Sequence, residues 1–210
     1  MIRKLISLVE DMIWPRGFHC LCCESRAEGG LLCDVCEMQL RMLRIRGQSG
    51  DIRSAWPYAE CAKTLVTALK YDCMADCAEV MAEAMAEEAM DMHLPPDTVL
   101  TWVTMPEGRR RVRGIDHGRT LCEALAAKLG MPARELLVRS RKTHTQRGLT
   151  AQQRQRNITG AMSCREKMSF PVLLIDDVLT TGATAQACRA ALEAAGATHV
   201  YVLTATRAGR

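Results

Sequence analysis

The chain has 210 residues and a formal net charge of +4; 48% of residues are hydrophobic and 25% charged, a mixture that can bury a core and excludes wholesale disorder. Only 4% are aromatic, which leaves few rings for stacking bare nucleic-acid bases. No run approaches the roughly 18–20 unbroken apolar residues of a membrane-crossing helix, so no membrane span is expected.

Residues 1–14 carry Arg3 and Lys4, but Glu10 and Asp11 interrupt any signal-peptide pattern. Ile2, Leu5, Ile6, Val9 and Ile13 repeat at helical spacing, which predicts a short docking helix. With no secretory leader and an odd count of 11 cysteines, the expectation is a reducing, cytoplasmic setting with thiols rather than disulfides.

Next comes Cys20-Leu-Cys-Cys23, followed by Cys33-Asp-Val-Cys36. Two C-x₂-C knuckles nine residues apart can place four thiolates around one zinc ion, and Gly29 and Gly30 permit the chain reversal between them. Cys20, Cys23, Cys33 and Cys36 are the expected ligands, with Cys22 as an alternative in the first pair. A site of four cysteines has no open position for water, so the zinc is expected to be structural. Residues 1–45 thus read as an N-terminal helix and zinc knuckle, and residues 46–210 as the main domain.

Residues 56–96 are rich in Ala and Met and strongly acidic. Leu65, Leu69, Ala75, Ala78, Val80, Met81, Met85 and Ala89 fit helices with an acidic outer face, stopped by Pro95 and Pro96. At that spacing the methionines read as core, and Cys61, Cys73 and Cys77 as small buried residues of the same helices. Beyond them, 98–104 reads as a strand, 116–129 as a helix stopped by Gly130, and 135–138 as a short strand. Residues 139–165 are polar and aperiodic, a long loop or hairpin. The apolar run 171–175 predicts a buried strand, 183–195 a helix, and 199–206 a final strand. Strands alternating with helices imply an α/β chain with an open, mostly parallel sheet.

The most specific chemistry lies in Val172-Leu-Leu-Ile-Asp176-Asp177-Val178-Leu-Thr180-Thr181-Gly182-Ala183-Thr184. A buried strand delivers two carboxylates toward its carboxyl end, where ligands bind in open α/β sheets. Backbone amides at the following helix start, with the hydroxyls of Thr180, Thr181 and Thr184, form a cradle for a phosphate monoester. Carboxylates repel phosphate, so Asp176 and Asp177 are expected to serve ribose hydroxyls, with Mg²⁺ nearby. A receiver domain also pairs acidic residues at strand ends, but it carries them near its start and lacks the threonine-glycine cradle.

This thirteen-residue run resembles the signature of the type I phosphoribosyltransferases, which bind phosphoribosyl pyrophosphate. Met105-Pro106, Arg109 to Arg113 and Gly114 resemble the turn and arginine stretch of the competence-protein ComF family. Arg139, Arg141, Gln146, Leu149, Arg154, Asn157, Gly160 and Ala161 resemble a later stretch of that family, and Leu69-Lys70-Tyr71 its LKY element. The resemblance implies a phosphoribosyltransferase fold over 46–210, with phosphoribosyl pyrophosphate held by Asp176, Asp177, Val178, Thr180, Thr181, Gly182, Ala183, Thr184, Met105, Pro106 and Arg113. Asp176 and Asp177 would be the catalytic pair, Mg²⁺ the cofactor, and a homodimer the assembly. Arg113-Gly-Ile-Asp116-His117-Gly118 stands where the family has RGFNQA, so its two amide side chains are replaced by Asp116 and His117. His117 and His144 are candidate acid–base groups. The family's name also implies DNA uptake, and thirteen basic residues against four acidic ones between Glu107 and Gly160 could track single-stranded DNA.

Overall fold

The computed structural model describes residues 19–27, 30–105, 115–139 and 162–209. The expected helix at 1–14, the turn residue Pro106, the arginines from Arg109 to Arg113, and the loop residues 140–161 with His144 lie outside the described residues.

Helix α1 (Asp34–Met42) opens from Cys33 in extended conformation, with Asp34 and Glu37 in its first turn where negative charge suits the helix dipole. It buries Cys36 and Leu40, one turn apart, and Trp56 Nε1 donates to the Leu40 carbonyl at 2.8 Å, fastening α1 to strand β1 (Ile52–Pro57). Helices α2 (Glu60–Tyr71) and α3 (Asp76–Asp91) follow as the Ala and Met periodicity predicts. Met81 and Met85 are fully buried, so the methionine stripe is core. Cys61 and Cys77 are buried too, but Cys73 is not: it is exposed, at φ 57° in the turn between α2 and α3, off both helices.

Strand β2 (Val99–Trp102) is buried along its whole length. Helix α4 (His117–Leu129) is capped by Asp116, whose side chain accepts from the Arg119 amide at 3.2 Å, and closes on left-handed Gly130. Short strands β3 (Leu137–Arg139) and β4 (Met162–Cys164) pair antiparallel. Strand β5 (Val172–Leu179) is longer than the apolar run predicts: it carries Asp176 and Asp177 within it and continues for two residues beyond them. Helix α5 (Ala183–Ala194) and strand β6 (Val200–Arg207) complete the described chain.

The main sheet has the order β1-β6-β5-β2 and every pairing is parallel. Alternation along β5 divides the interior. Leu173 and Ile175 face a core built with α1 to α4, while Val172 and Leu174 face a second core with α5, where Cys188 and Leu192 are fully buried. Both faces are thus covered, as a parallel sheet requires, and each buried leucine or isoleucine contributes about 1.5–3 kcal/mol. Leu32, Cys36 and Leu40, beside the cysteine knuckles, belong to the same core as Leu173 and Ile175.

Strand β1 is the element that the sequence pattern does not announce. Its Ser54 is fully buried, and Ser54 Oγ lies 2.7 Å from Thr204 Oγ1 on β6. Buried hydroxyls paired with each other replace the apolar alternation that marks a strand.

Candidate functional site

The first candidate site is built from two backbone turns. Cys20 N donates to the Ser25 carbonyl (2.7 Å) and Glu24 N to the Cys20 carbonyl (2.9 Å), with Glu24 at φ 63°, so the chain between Cys20 and Cys23 is tightly folded. Cys22 N donates to Cys20 Sγ at 3.4 Å, which favours a thiolate there. The second turn is the start of α1, where Cys33 is the cap residue and Cys36 lies in the first turn. Sγ atoms of Cys20, Cys23, Cys33 and Cys36 all lie within 4.8 Å of one another, and those of Cys23 and Cys33 are 3.5 Å apart. Tetrahedral zinc–thiolate bonds of about 2.3 Å set sulfur separations of about 3.8 Å, so this cluster can hold a zinc ion. Cys22 is not part of it: its thiol donates to the Cys61 carbonyl at 3.9 Å, and burial pushes its pKa upward. The alternative ligand in the first pair is thereby removed. Hydrogen bonds from Ser25 lower Cys23 to about 6, whereas burial pushes Cys36 up.

The second candidate site lies at the carboxyl side of β5. Strand β2 stops at Trp102, paired with Ile175, so from Asp176 onward β5 has a described strand neighbour only in β6. Asp177 is 4% exposed. Lys70 Nζ, from the last turn of α2, lies 2.7 Å from Asp177 Oδ1, and His117 Nε2, from the first residue of α4, lies 3.1 Å from Oδ2. Burial alone would raise the pKa of Asp177, but His117 and Lys70 outweigh it and hold the carboxyl below the usual carboxylate range. His117 Nδ1 is buried and has no hydrogen-bond partner among the described residues.

Asp176 is half-buried, and its Oδ1 accepts from the Asp177 amide at 2.9 Å. It forms no ion pair among the described residues; burial and the charge on Asp177 push its pKa up to about 7. The sequence reading treats the two acids as equivalent groups at a strand end. The structure differs: the strand runs on to Leu179, and Asp177 is paired with Lys70 and His117 while Asp176 has no described ion pair.

Past β5, Thr180 and Thr181 are exposed, and Thr181 Oγ1 accepts from the Ala183 amide at 3.4 Å. Gly182 caps α5 with φ 76°, a left-handed conformation that a side chain would strain; an added Cβ would meet only Leu179 Cδ1, at 4.0 Å. Ala183 is buried, Val178 and Thr184 are half-buried, and the first amides of α5 point out of the helix start as donors. Met105, three residues past β2, is half-buried, while Pro106 and Arg113 lie outside the described residues. Lys70 is the residue whose importance the sequence conceals. It is separated from Asp177 by over a hundred positions, and its one signal is the LKY resemblance.

The fold and sites together define an open parallel α/β sheet flanked by helices, with a cluster of four cysteines near its amino-terminal end. Over 101 residues the chain is 35% identical to Competence protein F of Haemophilus influenzae; the match takes in 46% of this chain and 44% of that protein. No family model matches the chain. Among solved structures it is similar to the glutamine phosphoribosylpyrophosphate amidotransferase of B. subtilis, with 17% identity and a TM-score of 0.43 over 66% of this chain and 30% of that one. It is also similar to adenine phosphoribosyltransferase of Leishmania tarentolae, with 20% identity and a TM-score of 0.37 over 63% of this chain and 71% of that one. No described helix is long and apolar enough to cross a membrane.

Proposed function

We propose that this protein is a ComF-type phosphoribosyltransferase that binds phosphoribosyl pyrophosphate with Mg²⁺ and passes the phosphoribosyl group to a nucleobase-like acceptor. The observation that carries this reading is the β5–α5 junction. Asp176 lies where β5 outruns β2, and six residues later a left-handed Gly182 opens helix amides flanked by Thr180, Thr181 and Thr184. Anion donors and a diol acceptor in one short segment match a ribose 5-phosphate. The likeness to Competence protein F supports a link to competence.

In the reaction, a ring nitrogen of the acceptor attacks ribose C1, the bond from C1 to the pyrophosphate oxygen breaks, and the acceptor's proton is released. Bound Mg²⁺ would supply charge neutralisation on the pyrophosphate. The chain's own part is to orient: the Thr180–Thr184 amides and hydroxyls hold the 5-phosphate, Asp176 and Asp177 accept from the ribose hydroxyls, and Met105, Pro106 and Arg113 serve the pyrophosphate. The four cysteines hold one structural zinc ion. Calorimetry with phosphoribosyl pyrophosphate and Mg²⁺ is expected to show one site per chain, and a panel of nucleobases is expected to contain one that releases pyrophosphate. Absence of binding would reject the site. The basic stretch between Glu107 and Gly160 favours a second role in binding single-stranded DNA through its phosphates, with affinity falling steeply as salt rises.

A further inference from the structure

A cavity of about 430 Å³ opens between the α1–β1 connection and the carboxyl end of α3. Its volume is in the range that holds small ligands. None of its lining residues belongs to the cysteine cluster or to the β5–α5 junction. One wall is basic, with Arg44 and Arg46 from the connection and Arg53 from β1. The other is acidic, with Glu87, Glu88 and Asp91 from the end of α3. No basic residue stands in the last turn of α3, so these acids sit at the negative end of the helix dipole, where a cation is favoured.

The two walls cancel each other only in part. Arg44 Nη1 lies 2.7 Å from Glu87 Oε2, but Arg44 Nη2 stands 3.8 Å from Glu88 Oε1, outside hydrogen-bond reach. The Arg44 side chain is 9% exposed, and its buried Nε has no hydrogen-bond partner among the described residues. Glu88 is buried as deeply: Gln48 Nε2 donates to its Oε2 at 3.1 Å, and burial pushes its pKa upward. Arg46 and Asp91 are exposed and form no ion pair among the described residues. Arg53 forms none either, its Nε donating to the Gly50 carbonyl at 3.4 Å. His93, just past α3, spends its Nδ1 on the Asp91 carbonyl (3.0 Å). A simple anion in this space would face three carboxylates, and a simple cation three guanidinium groups.

We propose that this cavity is a second ligand site and takes a small zwitterion of the α-amino-acid class, its carboxylate against Arg46 and Arg53 above Arg44, and its ammonium against Glu88 and Asp91. Such a ligand gives each wall the charge it lacks, and its side chain fills the remaining volume. Occupancy of this cavity is independent of the sugar-phosphate reading of the β5–α5 junction.

The test is thermal unfolding of the full-length chain with each standard L-amino acid at millimolar concentration, then calorimetry on any that raises the melting temperature. At least one is expected to bind, at one site per chain. Its N-acetyl derivative lacks the ammonium and its carboxamide lacks the carboxylate. Each is expected to bind about tenfold more weakly, the loss of one charged hydrogen-bond partner. Arg46→Gln and Asp91→Asn, both at exposed positions, are expected to weaken binding by a similar factor and to leave the melting temperature of the free chain unchanged. No binding by any amino acid would overturn the proposal. So would an N-acetyl derivative or inorganic phosphate that binds as tightly as the free amino acid, because the cavity would then be an anion site. Binding that survives both substitutions would place the amino acid elsewhere and overturn it equally.

Discussion

The cysteine cluster and the group around Asp177 are both knots of ionisable side chains, but they balance charge in opposite ways. Around Asp177 the counter-charge is built in: Lys70 lies 2.7 Å away, and the carboxyl is held below its usual range. The four cysteines have no such partner among the described residues. Their sulfurs lie within 4.8 Å of one another with only hydrogen bonds for company, and those bonds pull Cys23 down while burial pushes Cys36 up. Four thiolates at that spacing would repel, so a cation at their centre is what would let all four stay deprotonated. One knot carries its counter-charge as folded and the other asks for a cation.

The sharpest way to break this contrast is to remove the cation. A structural zinc site supplies on the order of 10 kcal/mol to a small module, so Cys36→Ser or a strong chelator is expected to unfold the segment around α1. Because Leu32, Cys36 and Leu40 share the main core, the melting temperature of the whole chain should fall as well, and metal content should drop from one ion per chain to none. An unchanged melting curve after chelation would erase the distinction between the two knots.

The internal counter-charge comes next. Lys70→Met leaves a buried carboxylate short of its cation, at a cost of about 3–5 kcal/mol measured by urea unfolding. Chelator should not alter that difference if the two knots are independent.

The pH dependence separates the two acids. Asp177 is depressed when folded, so its stabilising contribution is present above the unfolded carboxyl range and is lost as pH falls below about 4. Asp176 is raised to about 7, so the fold favours its protonated form and loses stability as pH rises from about 4 through 7. Asp176→Asn should therefore flatten the decline of the urea midpoint between pH 4 and 7. A decline that survives the substitution would put its origin elsewhere.

Smaller effects sharpen the edges. Gly182→Ala meets no steric wall but must hold φ 76°, which costs about 1–2 kcal/mol, readable as a modest fall in melting temperature. Cys22→Ser, outside the cluster, should leave metal content at one ion per chain, with a loss of affinity for zinc showing that the first knuckle had been misassigned.

Much of this molecule was legible in residue order. Periodicity marked α2, α3, α4 and α5, and the apolar run marked β5, because burying one face of a helix or both faces of a strand leaves a local imprint. Four cysteines in two close pairs announced their cluster, since each pair is brought together by a single turn. What order alone left open was decided by contacts between distant segments. Strand β1 is stabilised by hydroxyl pairing with β6, which has no apolar signature. Cys22 was excluded only by the direction of its thiol toward Cys61. The difference between Asp176 and Asp177 arose from Lys70 and His117, because a carboxylate's chemistry is set by the charges folded against it and not by its neighbour in the chain.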